Sequence, residues 1–459
     1  PDLRFLVYYF CYYFLERKRK AKFSIILLVI KKIKGFFKET FQTTTLRQSV
    51  ITFSGTFVNG VLGAIFYIIS ARFLGPSSFG LFILAVTTLT LISDISDLGI
   101  NTGIVRFVAK YFQKDEKKAY QFLKLGLEVK FLILVFTALF GWIVSPFIAK
   151  EIFNKPEFDV PLKISFIGVS SSLLFSFIIS ALQSLQKFWS WSLIQIAANL
   201  LRLILVFLLI WLGKLTTNSN LVVYVLVPFL GFVFGMKLIG TKFLDVKNER
   251  SVTKKFFSYN KWVAALSLIS ALGSRMDTFI SGKLLSNSQL GIYSAANQLV
   301  QVVPQLVSAV GTVIAPKMAG MEDIKNLVSY MKKVQIMVLG LAMLGILIAP
   351  VIIFMIPLIY GKMYTPSIPV FVILLFAMLI FLISVPVHVS VFYYFSKPSI
   401  FFWLSLVHLT LVSVLSFSLI PVYGIIGASL SVLAGQILNF VVPLFWVLRK
   451  IKKSLNINH

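Results

Sequence analysis

The sequence predicts an all-α polytopic membrane protein of about twelve transmembrane helices, built as two six-helix bundles related by an internal repeat. Three observations carry this. Of 459 residues 58% are hydrophobic, and they gather in runs of about twenty, the length that crosses hydrocarbon. The 44 lysines and arginines fall almost wholly between those runs, 35 on one set of alternate loops and 7 on the other. A shift of 211 positions lays the first half of the chain on the second.

Twelve apolar segments span roughly 49–71, 80–101, 129–149, 163–184, 191–212, 221–240, 260–284, 291–315, 334–356, 367–395, 399–420 and 424–447. Hydrocarbon offers backbone groups no hydrogen-bond partner, so each segment is expected to be a helix. The charge asymmetry places both termini in the cytosol of a cytoplasmic membrane by the positive-inside rule, with Arg202 and Arg275 left inside helices. Net charge is +28, but its position at membrane surfaces disfavours nucleic acid as a partner and points to membrane lipids.

Residues 1–45 form a basic N-terminal segment. Phe5 to Leu15 is apolar but too short to span, and the basic run Arg17 to Lys22 follows it instead of preceding it, so it does not read as a signal peptide. Either it is an interfacial anchor or it is an artefact of how the chain was defined. Cys11 is the only cysteine and His388, His408 and His459 are far apart, so no disulfide, metal centre or cofactor is expected.

The repeat defines the domains: an N-terminal bundle over 46–245, a C-terminal bundle over 246–450 and a tail over 451–459. It places Arg72, Ser77, Gly80, Phe82 and Ala85 on Lys283, Ser288, Gly291, Tyr293 and Ala296, and Arg106 on Lys317. Six is even, so the halves share one orientation about an axis along the membrane normal.

The second segment carries a polar stripe where lipid-facing sequence has none. Thr87, Thr90, Asp94 and Asp97 recur at spacings of three and four and share one helix face. The repeat maps them onto Gln298, Gln301, Gln305 and Ser308, joined by Asn297. Two such faces can meet in a hydrated cavity or act as interhelical hydrogen-bond glue. Arg202, Arg275 and Asp277 are charges within helices, each costing roughly 2.5–3.5 kcal/mol at a helix centre, and so face an interior or a pathway. Asn59 is a weaker candidate. The arginines suit phosphate through their planar donor fork; alternatively, one of them pairs with Asp94 or another buried carboxylate to hold the bundle.

Twelve helices in two equivalent halves, the run Arg275-Met276-Asp277 followed by Ile280, Gly282, Leu284, Gly291, Tyr293, Ala295 and Ala296, and the matching Phe79-Gly80-Leu81-Phe82 resemble the polysaccharide transporter family. That family includes O-antigen flippases and shares a superfamily with multidrug and toxic compound extrusion transporters. The resemblance implies a transporter, not an enzyme, that turns polyprenyl-pyrophosphate-linked oligosaccharide across the membrane by alternating access. It implies that Arg202 and Arg275, with Asn59, Gln298, Gln301 and Gln305, bind the substrate, and that Asp94, Asp97 or Asp277 couples a proton or sodium ion. The competing reading on the same fold is an ion-coupled multidrug exporter. A membrane polymerase or glycosyltransferase fits less well, because the longest outer loop, about 150–162, is too short to hold an acceptor.

Overall fold

The computed structural model describes residues 44–457, and the expected N-terminal anchor lies outside them. The described residues form helices and no strand: α1 Thr44–Ser96, α2 Ile100–Tyr111, α3 Glu116–Phe147, α4 Asp159–Ser184, α5 Phe188–Trp211, α6 Thr217–Ile239, α7 Arg250–Leu284, α8 Asn287–Val300, α9 Val302–Ala319, α10 Ile324–Ile359, α11 Ser367–Val389, α12 Ser399–Tyr423 and α13 Ile425–Ile457. Among the described residues, eleven stretches are long and apolar enough to cross a membrane.

The count differs from twelve for a local reason. The first stretch, Val50–Ser96, holds 47 residues, about 70 Å at 1.5 Å per residue and twice the depth of the hydrocarbon. It folds back at Gly75, whose φ of 73° and ψ of 169° belong to glycine alone, followed by Pro76, which cannot donate to the turn before it. The return is visible in the Phe66 and Phe82 rings, whose centroids are 6.1 Å apart across sixteen residues of sequence. One continuous element therefore supplies two of the expected segments. A second break, at Leu98 and Gly99 with φ of 48° and 73°, separates the stripe from the short amphipathic α2.

Lysine and arginine are sparse on the end of the molecule that holds Gly75 and the loops around 148–158, 212–216, 285–286, 360–366 and 424. There the two halves meet backbone to backbone. A Cβ on Gly80 would overlap the carbonyl oxygen of Asn287, and one on Gly291 would overlap that of Pro76. The contact is reciprocal under the repeat, which maps Gly80 to Gly291 and Pro76 to Asn287. Cations of the N-terminal half then cap carbonyls of the C-terminal half, where helix dipoles favour positive charge. Arg72 Nη1 donates to the carbonyls of Leu358 and Ile359 at the end of α10. Lys155 Nζ donates to the Leu285 carbonyl beyond α7 at 2.8 Å. The Tyr364 hydroxyl donates to Ala71 O at 2.8 Å, and Asn287 Nδ2 to Glu157 Oε1 at 2.8 Å. Burial pushes the Lys155 ammonium down to about 8, against 10.5 for an ordinary lysine, with Glu157 opposing the shift.

At the basic end the halves touch through side chains. Phe107 of α2 stacks on Phe122 at 4.6 Å and packs against Phe256 and Tyr259 of α7, and the Arg106 guanidinium lies 4.2 Å from the Tyr259 ring centre.

Candidate functional site

The polar stripe does not act as a unit. Thr87 is buried in packing, and the Thr90 hydroxyl returns a hydrogen bond to Val86 O at 2.8 Å. Asp94 reaches out of the N-terminal half to Arg275 of α7, with Nη2 and Oδ2 3.4 Å apart. These two side chains remain 51% and 34% exposed, although Arg275 stands nine residues inside its spanning helix; Asp94 lies two residues from the end of its own. Asp97 turns the other way. Its Oδ1 lies 2.9 Å from Lys130 Nζ, and its Oδ2 accepts from the Asn101 amide, closing the first turn of α2 after the break.

Lys130 is fully buried and saturated: besides Asp97 it donates to Leu173 O at 3.1 Å and Ser176 Oγ at 2.7 Å. From sequence this lysine counts among the loop charges, because it begins an apolar run. Nothing in its spacing marks it as the counter-ion of Asp97.

Arg202 stands apart from Arg275 in a cavity of about 190 Å³ inside the N-terminal half. The first arm of α1 supplies Asn59, the second Leu89 and Thr90, α4 Ser172 and Phe175, α5 Gln195, Asn199 and Arg202, and α6 Tyr224. Arg202 Nη1 donates to Asn199 Oδ1 at 2.9 Å, and Asn199 donates in turn to Asn59 Oδ1. The guanidinium lies over two rings, 4.4 Å from the centre of Tyr224 and 5.3 Å from that of Phe66. Such stacking contributes about 2 kcal/mol when desolvated. Among the described residues no carboxylate pairs with Arg202, and its Nε is buried with no acceptor. The Tyr67 hydroxyl donates a 3.3 Å hydrogen bond to the hydroxyl of Tyr224, the ring over which Arg202 lies. Gln195, Asn199 and Tyr224 are single polar residues in apolar helices, and sequence offers no means to separate them from interhelical glue.

In the C-terminal half Asp277 accepts from the Tyr293 hydroxyl at 2.8 Å and from Thr278 Oγ1 at 3.3 Å, with no cationic partner among the described residues. The Nε2 atom of His408 is buried without a partner and lies under the backbone of Gly435. The mapped stripe straddles a joint at Gln301, between α8 and α9, and therefore does not form one straight face. Gln301 Nε2 donates to Asn297 Oδ1 at 3.3 Å, Gln298 is half-buried, and the Gln305 amide crosses to Gly60 of the other half.

The helical fold recurs in solved transporters. An inward-facing multidrug resistance MATE family transporter of the MOP superfamily superposes with a TM-score of 0.68 at 11% identity, covering 88% of this chain and 98% of that one. The lipid II flippase MurJ in an inward closed conformation gives 0.69 at 16% identity, covering 87% of each. These likenesses establish the fold. In sequence, an uncharacterized membrane protein of Methanocaldococcus jannaschii is 26% identical over 413 residues, 85% of this chain and 94% of that protein. The family model described as polysaccharide biosynthesis protein matches residues 45–322, more than half of the chain, and the chain belongs to that family.

Proposed function

We propose that the protein flips polyprenyl-pyrophosphate-linked oligosaccharide across the cytoplasmic membrane by alternating access, with the basic end cytosolic. The observation that carries this is the ion pair between Arg275 and Asp94. It joins the two halves, and its Arg275, nine residues inside a spanning helix, is a third exposed at a depth where lipid solvates no charge, so that exposure marks a water-filled cleft between the halves. An exposed pair of this kind is worth only about 0–1 kcal/mol. A diphosphate, with more charge and more acceptor oxygens than one carboxylate, takes the guanidinium from Asp94 and leaves the halves without that link. Binding and release of the cleft are then one event. The backbone contacts at Gly80 and Gly291 close the outer end meanwhile, so the cleft loads from the cytosol.

The three acids proposed for ion coupling separate by partner. Lys130 neutralises Asp97 and Arg275 neutralises Asp94, whereas Asp277 has only hydroxyl donors, which leaves it free to take up a proton or sodium ion. An ion-coupled multidrug exporter on this fold also uses a carboxylate, but it has no use for a cation in the cleft. The separating experiment reconstitutes the protein in liposomes with a fluorescent polyprenyl-diphosphate oligosaccharide. Arg275→Ala is expected to cut flipping at least tenfold and Arg275→Lys less, at unchanged protein abundance. Undiminished flipping by Arg275→Ala sinks the reading.

A further inference from the structure

The cavity around Arg202 is lined wholly by the N-terminal half, and its polar lining holds one cation and no acid. We propose that it is a subsite for a single acidic sugar of the oligosaccharide head group, whose carboxylate binds Arg202. The proposal rests on the flippase reading for its setting, and on the cavity for its chemistry.

Charge comes first. A guanidinium desolvated beside Phe66 and Tyr224 with no anion is an incomplete site, and an entering carboxylate completes it. Asn199 occupies Nη1 and fixes the fork, and Nε is buried without an acceptor, which leaves Nη2 as the guanidinium nitrogen that an entering carboxylate reaches. The remaining polar groups are amides and hydroxyls, from Asn59, Ser172 and Gln195, which both donate and accept as sugar hydroxyls do. Phe175 supplies an apolar wall for the C–H face of a ring. Size sets the limit. About 190 Å³ is well below the roughly 300–1,000 Å³ of sites for larger ligands, so one ring enters and the rest of the head group stays in the cleft.

The test separates the subsite from the flippase reading by measuring binding as well as transport. Detergent-solubilised protein is titrated with free glucuronate, glucose and inorganic phosphate, followed by ligand-observed saturation-transfer NMR. Glucuronate is expected to bind at least tenfold more tightly than glucose or phosphate, and Arg202→Gln is expected to abolish that preference. Arg202→Gln removes a charge with no ionic partner among the described residues, so it leaves no orphaned acid, and a circular dichroism melt verifies its fold. Equal binding of glucuronate and glucose, or phosphate as the tightest ligand, overturns the acidic-sugar assignment whatever the transport result. In liposomes, Arg202→Gln should slow a uronate-bearing polyprenyl-diphosphate probe tenfold and a neutral one less than twofold, whereas Arg275→Ala slows both. Equal slowing of both probes by Arg202→Gln also overturns it.

Discussion

Lys130 holds its charge in the interior of the N-terminal half, and every donor it has is used: a carboxylate, a carbonyl and a hydroxyl. Removing it leaves Asp97 facing apolar surroundings. Lys130→Met is expected to cost about 3–5 kcal/mol and to lower the amount of folded protein in the membrane. The double variant Lys130→Met/Asp97→Asn should recover much of that loss, and a single variant that melts like wild type would show the pair to be dispensable. Asp94→Asn, at a half-exposed site, should change the melt by less than 1 kcal/mol. The sequence gives the angle of each acid on its helix but not its partner, and for that reason Asp94 and Asp97 look alike there and are not alike here. Helical periodicity also hides Lys130, which stands at the start of an apolar run where a loop charge is equally at home. Arg202 and Arg275 stand out because a charge in the middle of such a run needs either a partner, as Arg275 has in Asp94, or a polar interior.

At the scale of elements, the hairpin in α1 does the most. Its two arms bring Asn59 and Thr90 to one cavity and carry Asp94 to α7, and its bend at Gly75 sets Gly80 at the meeting of the halves. Gly80→Val and Gly291→Val each place a side chain where the other half's backbone lies, so each is expected to hold that end open. Solvent accessibility of a cysteine at Phe79, buried here against Tyr364 of the other half, read with an impermeant thiol reagent, should rise severalfold in both variants, and flipping should fall. Unchanged accessibility would mean that the helices slide apart without opening. The apolar runs predicted the helices well, because period and length are local properties. The joint at Gln301 has one local signal, Pro304 in the first turn of α9, which has no N–H for the Val300 carbonyl, but the matched stripe reads as continuous across it.

For the whole molecule, closure at the sparse end is linked to protons through Lys155. Closed, its ammonium is buried and titrates at about 8; exposed on opening, it returns toward the ordinary 10.5. Between those values the closed form binds fewer protons than the open one, so rising pH favours closure there, and below about 8 both forms are charged and the effect is absent. Spin labels at Asn218 and Lys362, exposed on opposite halves, should show a growing short-distance population from pH 8 to pH 10 in pulsed electron resonance. Lys155→Met should remove that dependence, and a wild type indifferent to pH over this window would break the link. The reciprocal contact of Gly80 and Gly291 has a further consequence, for ancestry. An isologous dimer of one six-helix half would make the same contact, each copy's glycine against the other copy's carbonyl, since two-fold symmetry pairs each residue with its image. Such a dimer would already close at this end. Fusing two gene copies into one chain then had only to add a tether at the other end, the stretch 240–249 between α6 and α7.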